Sequence, residues 1–424
     1  MTQKSDIILE RMMALHPKLI DLHLERVEQL VAAMEHPEQS LGLTVHVAGT
    51  NGKGSTVATL EAMALAQGLS VNRYTSPHLV RFHERIAHDG TPIDEAVLSA
   101  VLAACEEANQ GAAITYFEIT TVAAFEAFRR RPADLTLLEV GLGGRFDATN
   151  VLPPSVSVIT PVAMDHQQFL GDTIEAIAGE KAGIIKPGVP VVVGPQSHAA
   201  LAVIEERAEK LGAPLWVHGQ DWTVWEERGR LIYQDETGLL DLPLPNLKGA
   251  HQIHNAGAAI AASRAAHLPI DETAMERGLR AIRWPGRLMP LPAHPFLKAL
   301  PEGAELWLDG GHNPAAGQAL AQFMAERAKH DPRPLVLIAG MLTTKDQQGF
   351  FAPFAPLAPQ VLCVPIEGEP NATPPETLAQ KAQAAGLDAA AVASLPDALG
   401  AIEQTAPRVL ICGSLYLAGQ VLRA

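Results

Sequence analysis

A turn built to cradle phosphate stands at Val45-His46-Val47-Ala48-Gly49-Thr50-Asn51-Gly52-Lys53-Gly54-Ser55-Thr56. The order of residue types reads as strand, loop and helix start. Glycines let backbone N–H groups turn inward toward phosphate oxygens, the following helix offers the positive end of its dipole, and Lys53 adds a full charge. A hydroxyl on Ser55 or Thr56 can hold Mg²⁺. The spacing departs from the common P-loop, because Gly49 precedes Gly52-Lys53 by three positions rather than five and Gly54 separates Lys53 from Ser55. A glycine-rich stretch alone can be no more than a tight turn. Here the apolar run before it, the helical pattern after it and the place of the lysine all favour a nucleotide. Gly49, Thr50, Asn51, Gly52, Lys53, Gly54, Ser55 and Thr56 are therefore candidate ATP contacts, with Lys53 also a candidate catalytic residue.

The elements that must hold this loop follow a repeating rhythm. Short apolar runs at Leu43–Val47, Leu135–Val140, Val156–Thr160, Val189–Val193, Leu306–Leu308, Leu335–Ala339, Val361–Val364 and Val409–Cys412 read as buried parallel strands. Ala-rich amphipathic stretches such as Val57–Ala66 and Pro314–Lys329 lie between them. This is the βαβ pattern of an α/β fold with a mostly parallel sheet. Polar and glycine-rich residues cluster just after the runs, at Gly141–Asn150, Pro161–His166, Asp309–Pro314 and Gly413–Tyr416. Ligands of open α/β sheets bind at the carboxyl ends of strands. The residues up to about Ala33 have a helical period, and no internal repeat is evident.

The length of 424 residues suggests two domains. The proline-rich stretch from Trp284 to Pro301 marks the boundary, giving an ATP-binding domain over residues 1–283 and a smaller Rossmann-like α/β domain over 284–424. A hydrophobic fraction of 47% and a charged fraction of 19% fit a packed protein. The net charge of -15 argues against nucleic acid or an anionic membrane as partner. Cys105, Cys363 and Cys412 are odd in number and widely spaced, as expected of buried reduced thiols in a reducing compartment. No stretch has the character of a signal peptide or a membrane span, so we expect a cytoplasmic protein acting on small molecules as a monomer.

The motifs, taken in order, resemble the Mur ligase superfamily, and within it the folate-type glutamate ligases. The resemblance rests on Gly49–Ser55, Leu15–Leu22, Tyr74–Leu79, Glu84–Ile86, Tyr116–Glu118, Glu139–Arg145, Asp147–Asn150, Met164–His166, Gly179–Ile184, His251–Gln252 with Asn255–Ala256, Pro285–Arg287, Asp309–Pro314 and Gly413–Leu417. It implies an ATPase domain joined to a smaller α/β domain with the active site between them. It also implies ATP-driven amide synthesis, in which a pteroate or folate carboxylate becomes an acyl phosphate and the amine of L-glutamate attacks it. Dihydropteroate and reduced folates would be the acceptors. Rivals are folate polyglutamylation alone, another Mur-type ligase acting on a cell-wall precursor, and a P-loop switch or transport ATPase. Tyr74–Leu79 and Tyr116–Glu118 look like the folate branch, and a simple ATPase leaves the second set of strand-end motifs without a task.

The resemblance also implies roles. Ser76, Glu118 and His166 would be metal ligands for Mg²⁺, with Mn²⁺ possible because a histidine is among them. Lys181 would be carbamylated, and its apolar neighbours Ile177, Ala178, Ala182 and Ile184 favour the neutral amine that takes up CO₂. Asn255, Arg287 and Asp309 would contact adenine, phosphate and ribose. His312 and Ser414 would stand near the incoming glutamate, completing a catalytic set with Lys53, Lys181 and His166. Thr75, Pro77, His78 and Arg85 would line the pterin side. Plainer readings stand beside these: a turn before Pro77 for Ser76, a helix-start charge for Glu118, a core or cap histidine for His166, a snorkelling amine for Lys181 and a salt bridge for Arg287. The chain departs from the family pattern at His83, Met289, Gly311 and Thr344.

Overall fold

The strand–helix alternation builds two separate sheets in the computed structural model, which describes residues 3–16 and 21–424. Pro17 to Ile20, part of one quoted motif, lie outside the described residues. Contacts divide the chain into two units. The first comprises residues 1–162, 170–246 and 253–282, and the second residues 163–169, 247–252 and 283–424. A single cut near residue 283 therefore leaves out two short segments that group with the second unit.

In the first unit the strands are β1 (Leu43–Ala48), β2 (Val71–Tyr74), β3 (Ile86–His88), β4 (Thr91–Pro92), β5 (Leu135–Glu139), β6 (Val156–Ile159), β7 (Val191–Val193) and β8 (Leu215–Val217). They form one sheet in the order β4-β3-β2-β5-β1-β6-β7-β8. The run from β2 to β8 is parallel, while β3 and β4 add an antiparallel edge. β1 is thus central, flanked by β5 and β6, and every residue of β5 and β6 is buried. Such two-sided burial is what the continuous apolar runs demand. The helix Tyr116–Arg130 is buried along most of its length and packs with the helices Lys4–Met13, Glu25–Ala33 and Glu95–Asn109 around a core that includes Ile8, Met12, Val27, Phe125 and Phe128.

Sequence patterning does not announce a second, three-stranded antiparallel sheet, formed by β9 (Trp222–Glu227), β10 (Arg230–Asp235) and β11 (Gly238–Pro243). Its first turn, Arg228-Gly229, has positive φ at both residues, the conformation that joins tight hairpins.

In the second unit β12 (Met289–Pro290), β13 (Glu305–Leu308), β14 (Leu335–Ala339), β15 (Gln360–Cys363), β16 (Asp388–Ala391) and β17 (Arg408–Cys412) form a sheet in the order β12-β13-β17-β14-β15-β16. All its pairings are parallel except β12 with β13. The last long strand sits between β13 and β14, so the turns after β13, β14 and β17 share one edge. The three cysteines are buried and free. No helix among the described residues is long and apolar enough to cross a membrane.

Candidate active site

The loop after β1 closes over space that admits no side chain. Gly49 has φ +146°, and a Cβ there would lie 1.9 Å from Thr160 Oγ1. Gly52 has φ +92°, and a Cβ there would lie 2.3 Å from Asn255 Oδ1. Asn255 is buried and stands directly on the loop. Thr50 and Asn51 both donate their N–H groups to the Pro161 carbonyl after β6, which pins the loop to the neighbouring strand end. The helix Lys53–Gln67 begins inside the motif, and Ser55 and Thr56 are buried in its first turn.

Two lysines converge on one carbonyl. Lys53 Nζ donates to Gly49 O at 3.0 Å and to Thr50 O at 3.4 Å, and Lys181 Nζ donates to Gly49 O at 3.0 Å. Lys181 ends the helix Ile174–Lys181, which Thr173 caps, and is 4% exposed. The turn Gly141–Asn150 holds that helix in place. Arg145 N donates to Glu180 O, and Asn150 Nδ2 donates to Arg145 O and Gly183 O.

After β2 the chain turns at Thr75-Ser76-Pro77. Ser76 N donates to Glu139 Oε2 at 3.2 Å, bringing the carboxylate at the end of β5 against the serine. Thr75 N donates to Arg85 O, and Arg85 Nε donates to His78 Nδ1 at 3.0 Å. The Arg85 guanidinium lies 5.1 Å from the Phe82 ring and 5.9 Å from the Tyr116 ring, in cation–π range. Thr75, His78 and Arg85 therefore form one cluster with two aromatic rings, and Pro77 is exposed at its tip.

Glu118, two positions after Tyr116, has partners of its own. Its Oε2 accepts from Thr115 N at 2.7 Å and from Arg26 Nε at 3.0 Å, and its Oε1 accepts from Arg26 Nη2 at 2.8 Å. It is the acidic member of a capping box on the helix Tyr116–Arg130, and 4% exposed. His83, one of the departures from the family pattern, approaches Glu95 Oε2 at 3.1 Å.

In the second unit the strand-end turns meet at Asp165. Lys345 Nζ donates to Asp165 Oδ1 at 2.7 Å, Asn313 Nδ2 donates to Asp165 Oδ2 at 3.1 Å, and His312 Nε2 is 3.6 Å from Oδ2. Burial alone would raise this carboxyl. The His312 imidazole and the Lys345 charge outweigh burial and hold it well below the usual carboxylate range. His166 has a left-handed backbone, φ +53°. Its Nε2 accepts from Lys345 Nζ at 3.3 Å, since an ammonium can only donate. His312 Nδ1 donates to the Gly310 carbonyl at 2.9 Å. Asp309 accepts from Leu288 N and Gly311 N, one bond on each oxygen. Ser414 is buried and caps the helix Leu415–Arg423 through Tyr416 N. Arg287 Nη1 donates to Gly286 O, and its side chain lies beside Gly310.

The Mur ligase middle domain matches residues 47–263, and the Mur ligase, glutamate ligase domain matches residues 297–415. The chain is 36% identical over 412 residues to the dihydrofolate synthase/folylpolyglutamate synthase of Escherichia coli K12, covering 96% of this chain and 92% of that protein. The chain belongs to the dihydrofolate synthase/folylpolyglutamate synthase family of Mur ligases. Among solved structures, E. coli FolC in complex with DHPP and ADP superposes with TM-score 0.88 at 33% identity, covering 100% of this chain and 98% of that one. The bifunctional enzyme of Yersinia pestis with AMPPNP and Mn ion also gives 0.88 at 33% identity, covering 100% and 99%.

The family's nucleotide and metal can be tested against the residues of the first unit. A Cβ at Gly49 or Gly52 would strike Thr160 or Asn255, so the loop backbone is held close to its neighbours, and Thr56 Oγ1 at the start of the following helix is buried without a hydrogen-bond partner. No group of three or more His, Cys, Asp or Glu among the described residues is arranged to hold a metal ion by itself. A hydroxyl or two with a single carboxylate suits Mg²⁺, which keeps waters and completes its shell with phosphate oxygens. These residues fit the group. The carboxylate that reaches the Ser76 turn is Glu139, which sequence reasoning passed over. Its place at the last position of a buried strand, just before a glycine-rich turn, is the signal that could have found it. Lys345 and Asp165 were also missed as a pair, being separated by 180 positions in the chain.

Proposed function

We propose that this protein uses ATP to join L-glutamate to a pterin-bearing carboxylate through an acyl phosphate. One carboxylate is that of dihydropteroate, giving dihydrofolate. The other is the glutamate tail of a reduced folate, giving the polyglutamate. The observation that carries the reading is the convergence of Lys53 and Lys181 on the Gly49 carbonyl, at 3.0 Å each, in a loop with no room for a side chain at Gly49 or Gly52. Bringing a carboxylate against a triphosphate sets two anions together, and fixed cations offset the repulsion. Lys53 is the first of these, with Arg287 as a clamp on the transferring phosphate. A Mg²⁺ or Mn²⁺ ion would supply further positive charge, held by Ser76, by Glu139 in place of Glu118, by the Thr56 or Ser55 hydroxyl, and by His166. Asn255 and Asp309 are assigned to adenine and ribose, and Thr75, Pro77, His78 and Arg85 to the pterin. The carboxylate oxygen takes the γ-phosphoryl group and ADP leaves. The glutamate amine then attacks the acyl carbon, the carbon–oxygen bond to phosphate breaks, and the amine gives up its proton. His312 and Ser414 are assigned to the glutamate side of this step.

Lys181 is assigned a carbamate, formed when its neutral amine takes up CO₂ and releases a proton. The resulting anion would lie against the phosphate loop, where it can share a cation with the nucleotide. Buried free thiols suit a cytoplasmic setting, and we assign the enzyme to act there as a monomer.

The test gives purified enzyme ATP, Mg²⁺ and labelled glutamate, with either dihydropteroate or tetrahydrofolate as sole acceptor. Amide product from both, with one ADP per bond, is the expected result. Product from only one acceptor reduces the function to that half, and stoichiometric AMP with pyrophosphate overturns the acyl-phosphate route.

A further inference from the structure

Beneath the Thr75–Pro77 turn lies an ion pair that none of the roles above requires. Glu61 sits in the third turn of the helix Lys53–Gln67, and Arg73 sits on β2. Their side chains are 9% and 7% exposed. Arg73 Nε donates to Glu61 Oε2 at 2.9 Å, and Arg73 Nη1 donates to Thr75 Oγ1 at 3.0 Å. Glu61 Oε1 is buried with no hydrogen-bond partner.

Stability does not account for this arrangement. Desolvating two charges offsets much of their attraction, and an apolar pair of similar volume is often as stable or more so. An unpartnered carboxylate oxygen makes the pair costlier still. What the pair supplies is geometry. The planar guanidinium forks between a helix and a turn and fixes both at once. The helix begins at Lys53, inside the phosphate loop. The turn carries Thr75, which is held on its other side by its N–H to Arg85 O, and then Ser76, whose N–H meets Glu139. One side chain thus links the phosphate-loop helix, the Ser76–Glu139 contact and the Arg85 cluster.

We infer that Arg73 is a positioning residue for phosphoryl transfer: through Thr75 it holds the Ser76 turn in register with the phosphate-loop helix, although it touches no substrate. The inference rests on the assignment of this unit to ATP-dependent ligation. Displacing reacting groups by about 1 Å can lower turnover by about 10²-fold.

The test compares three variants with wild type. Glu61→Leu/Arg73→Met replaces the pair with apolar side chains. Arg73→Lys keeps the charge but loses the fork. Thr75→Val keeps the ion pair and removes only the hydroxyl. Each is read by thermal melt, by kcat and KM for ATP and folate, and by the EPR spectrum of Mn²⁺ bound with AMPPNP. The expected result is a double variant that melts at or above the wild-type temperature, yet loses about 10²-fold in kcat with little change in KM for ATP, and an altered Mn²⁺ spectrum. Arg73→Lys should not recover kcat, and Thr75→Val should lower it in the same direction. Wild-type kcat and an unchanged Mn²⁺ spectrum in the folded double variant overturn the inference. Should the double variant not fold, wild-type values in both single variants overturn it. The two readings fail separately, because absence of ligation by the wild-type enzyme condemns the assigned function, whereas the Mn²⁺ spectra still decide the role of Arg73.

Discussion

Lys53 already lies over its loop, donating to two carbonyls at the positions where phosphate oxygens would compete for it. Removing it leaves the glycine cradle but takes away the one charge that enters with the helix. Lys53→Ala should lower ADP release by at least about 10²-fold while the melting temperature stays near wild type, as measured by coupled assay and circular dichroism. A well-folded variant with near-normal turnover would remove the phosphate-loop assignment. His46, on the strand just before the loop, makes a different prediction. It is fully buried, its Nε2–H donates to Thr149 Oγ1 at 2.8 Å while that hydroxyl donates to Asp147, and its Nδ1 has no partner. Burial, helped by the Lys186 charge, pushes it down to about 3 from an ordinary 6.5. The unfolded chain therefore binds a proton that the folded chain refuses between those values. Its contribution is fully present above pH 6.5 and is lost as pH falls toward 3, at about 1.4 kcal/mol per pH unit. His46→Gln should flatten the stability profile over that window by the same slope, measured by urea melts at successive pH. An unchanged profile would mean that His46 is protonated in the fold.

At the scale of elements, the buried parallel strands were legible because both their faces are covered and their sequences are accordingly apolar throughout. The strands β9 to β11 were not, because polar residues such as Thr223, Gln234 and Asp241 on the outer face interrupt the apolar pattern. The phosphate loop was legible from its glycines. The carboxylate we propose for the metal was less so. Glu118 opens a helix in the order Thr115-Tyr116-Phe117-Glu118, which is the spacing of a capping box and points to a local structural task. Glu139 ends a strand at the sheet's carboxyl edge, where it accepts from Ser76 N. The two substitutions should therefore separate. Glu139→Gln should weaken Mn²⁺–nucleotide binding by about 10-fold or more with little loss of stability. Glu118→Gln should leave that affinity near wild type but cost about 1–3 kcal/mol, because the part-buried Arg26–Glu118 charge pair is lost and Asp21 remains as the charged partner of Arg26. Titration calorimetry and thermal melts check both, and the reverse pattern would return the metal role to Glu118.

At the scale of the molecule, the second unit is assembled from three stretches of chain, and its polar centre is not local to any of them. Asp165 arrives from residues 163–169, while Lys345, His312 and Asn313 arrive from the loops after β14 and β13. Sequence patterning divides a chain by composition along its length, so it has no means of assigning a seven-residue segment to a sheet that begins more than a hundred positions later. The ion pair between Asp165 and Lys345, each side chain 7% exposed, ties that segment to the unit. Removing one member leaves the other charged and buried, a change that costs about 3–5 kcal/mol in comparable settings. Asp165→Asn and Lys345→Met should each destabilise the second unit by that order, read from amide exchange in β14 and β17. The double variant should lose much less than the two single losses added together, because neither charge is then stranded. It should still fail as an enzyme, since His166 and His312 both take their placement from this pair. Strict additivity in the double variant would show that the two residues are not coupled and that the segment is held by its backbone instead.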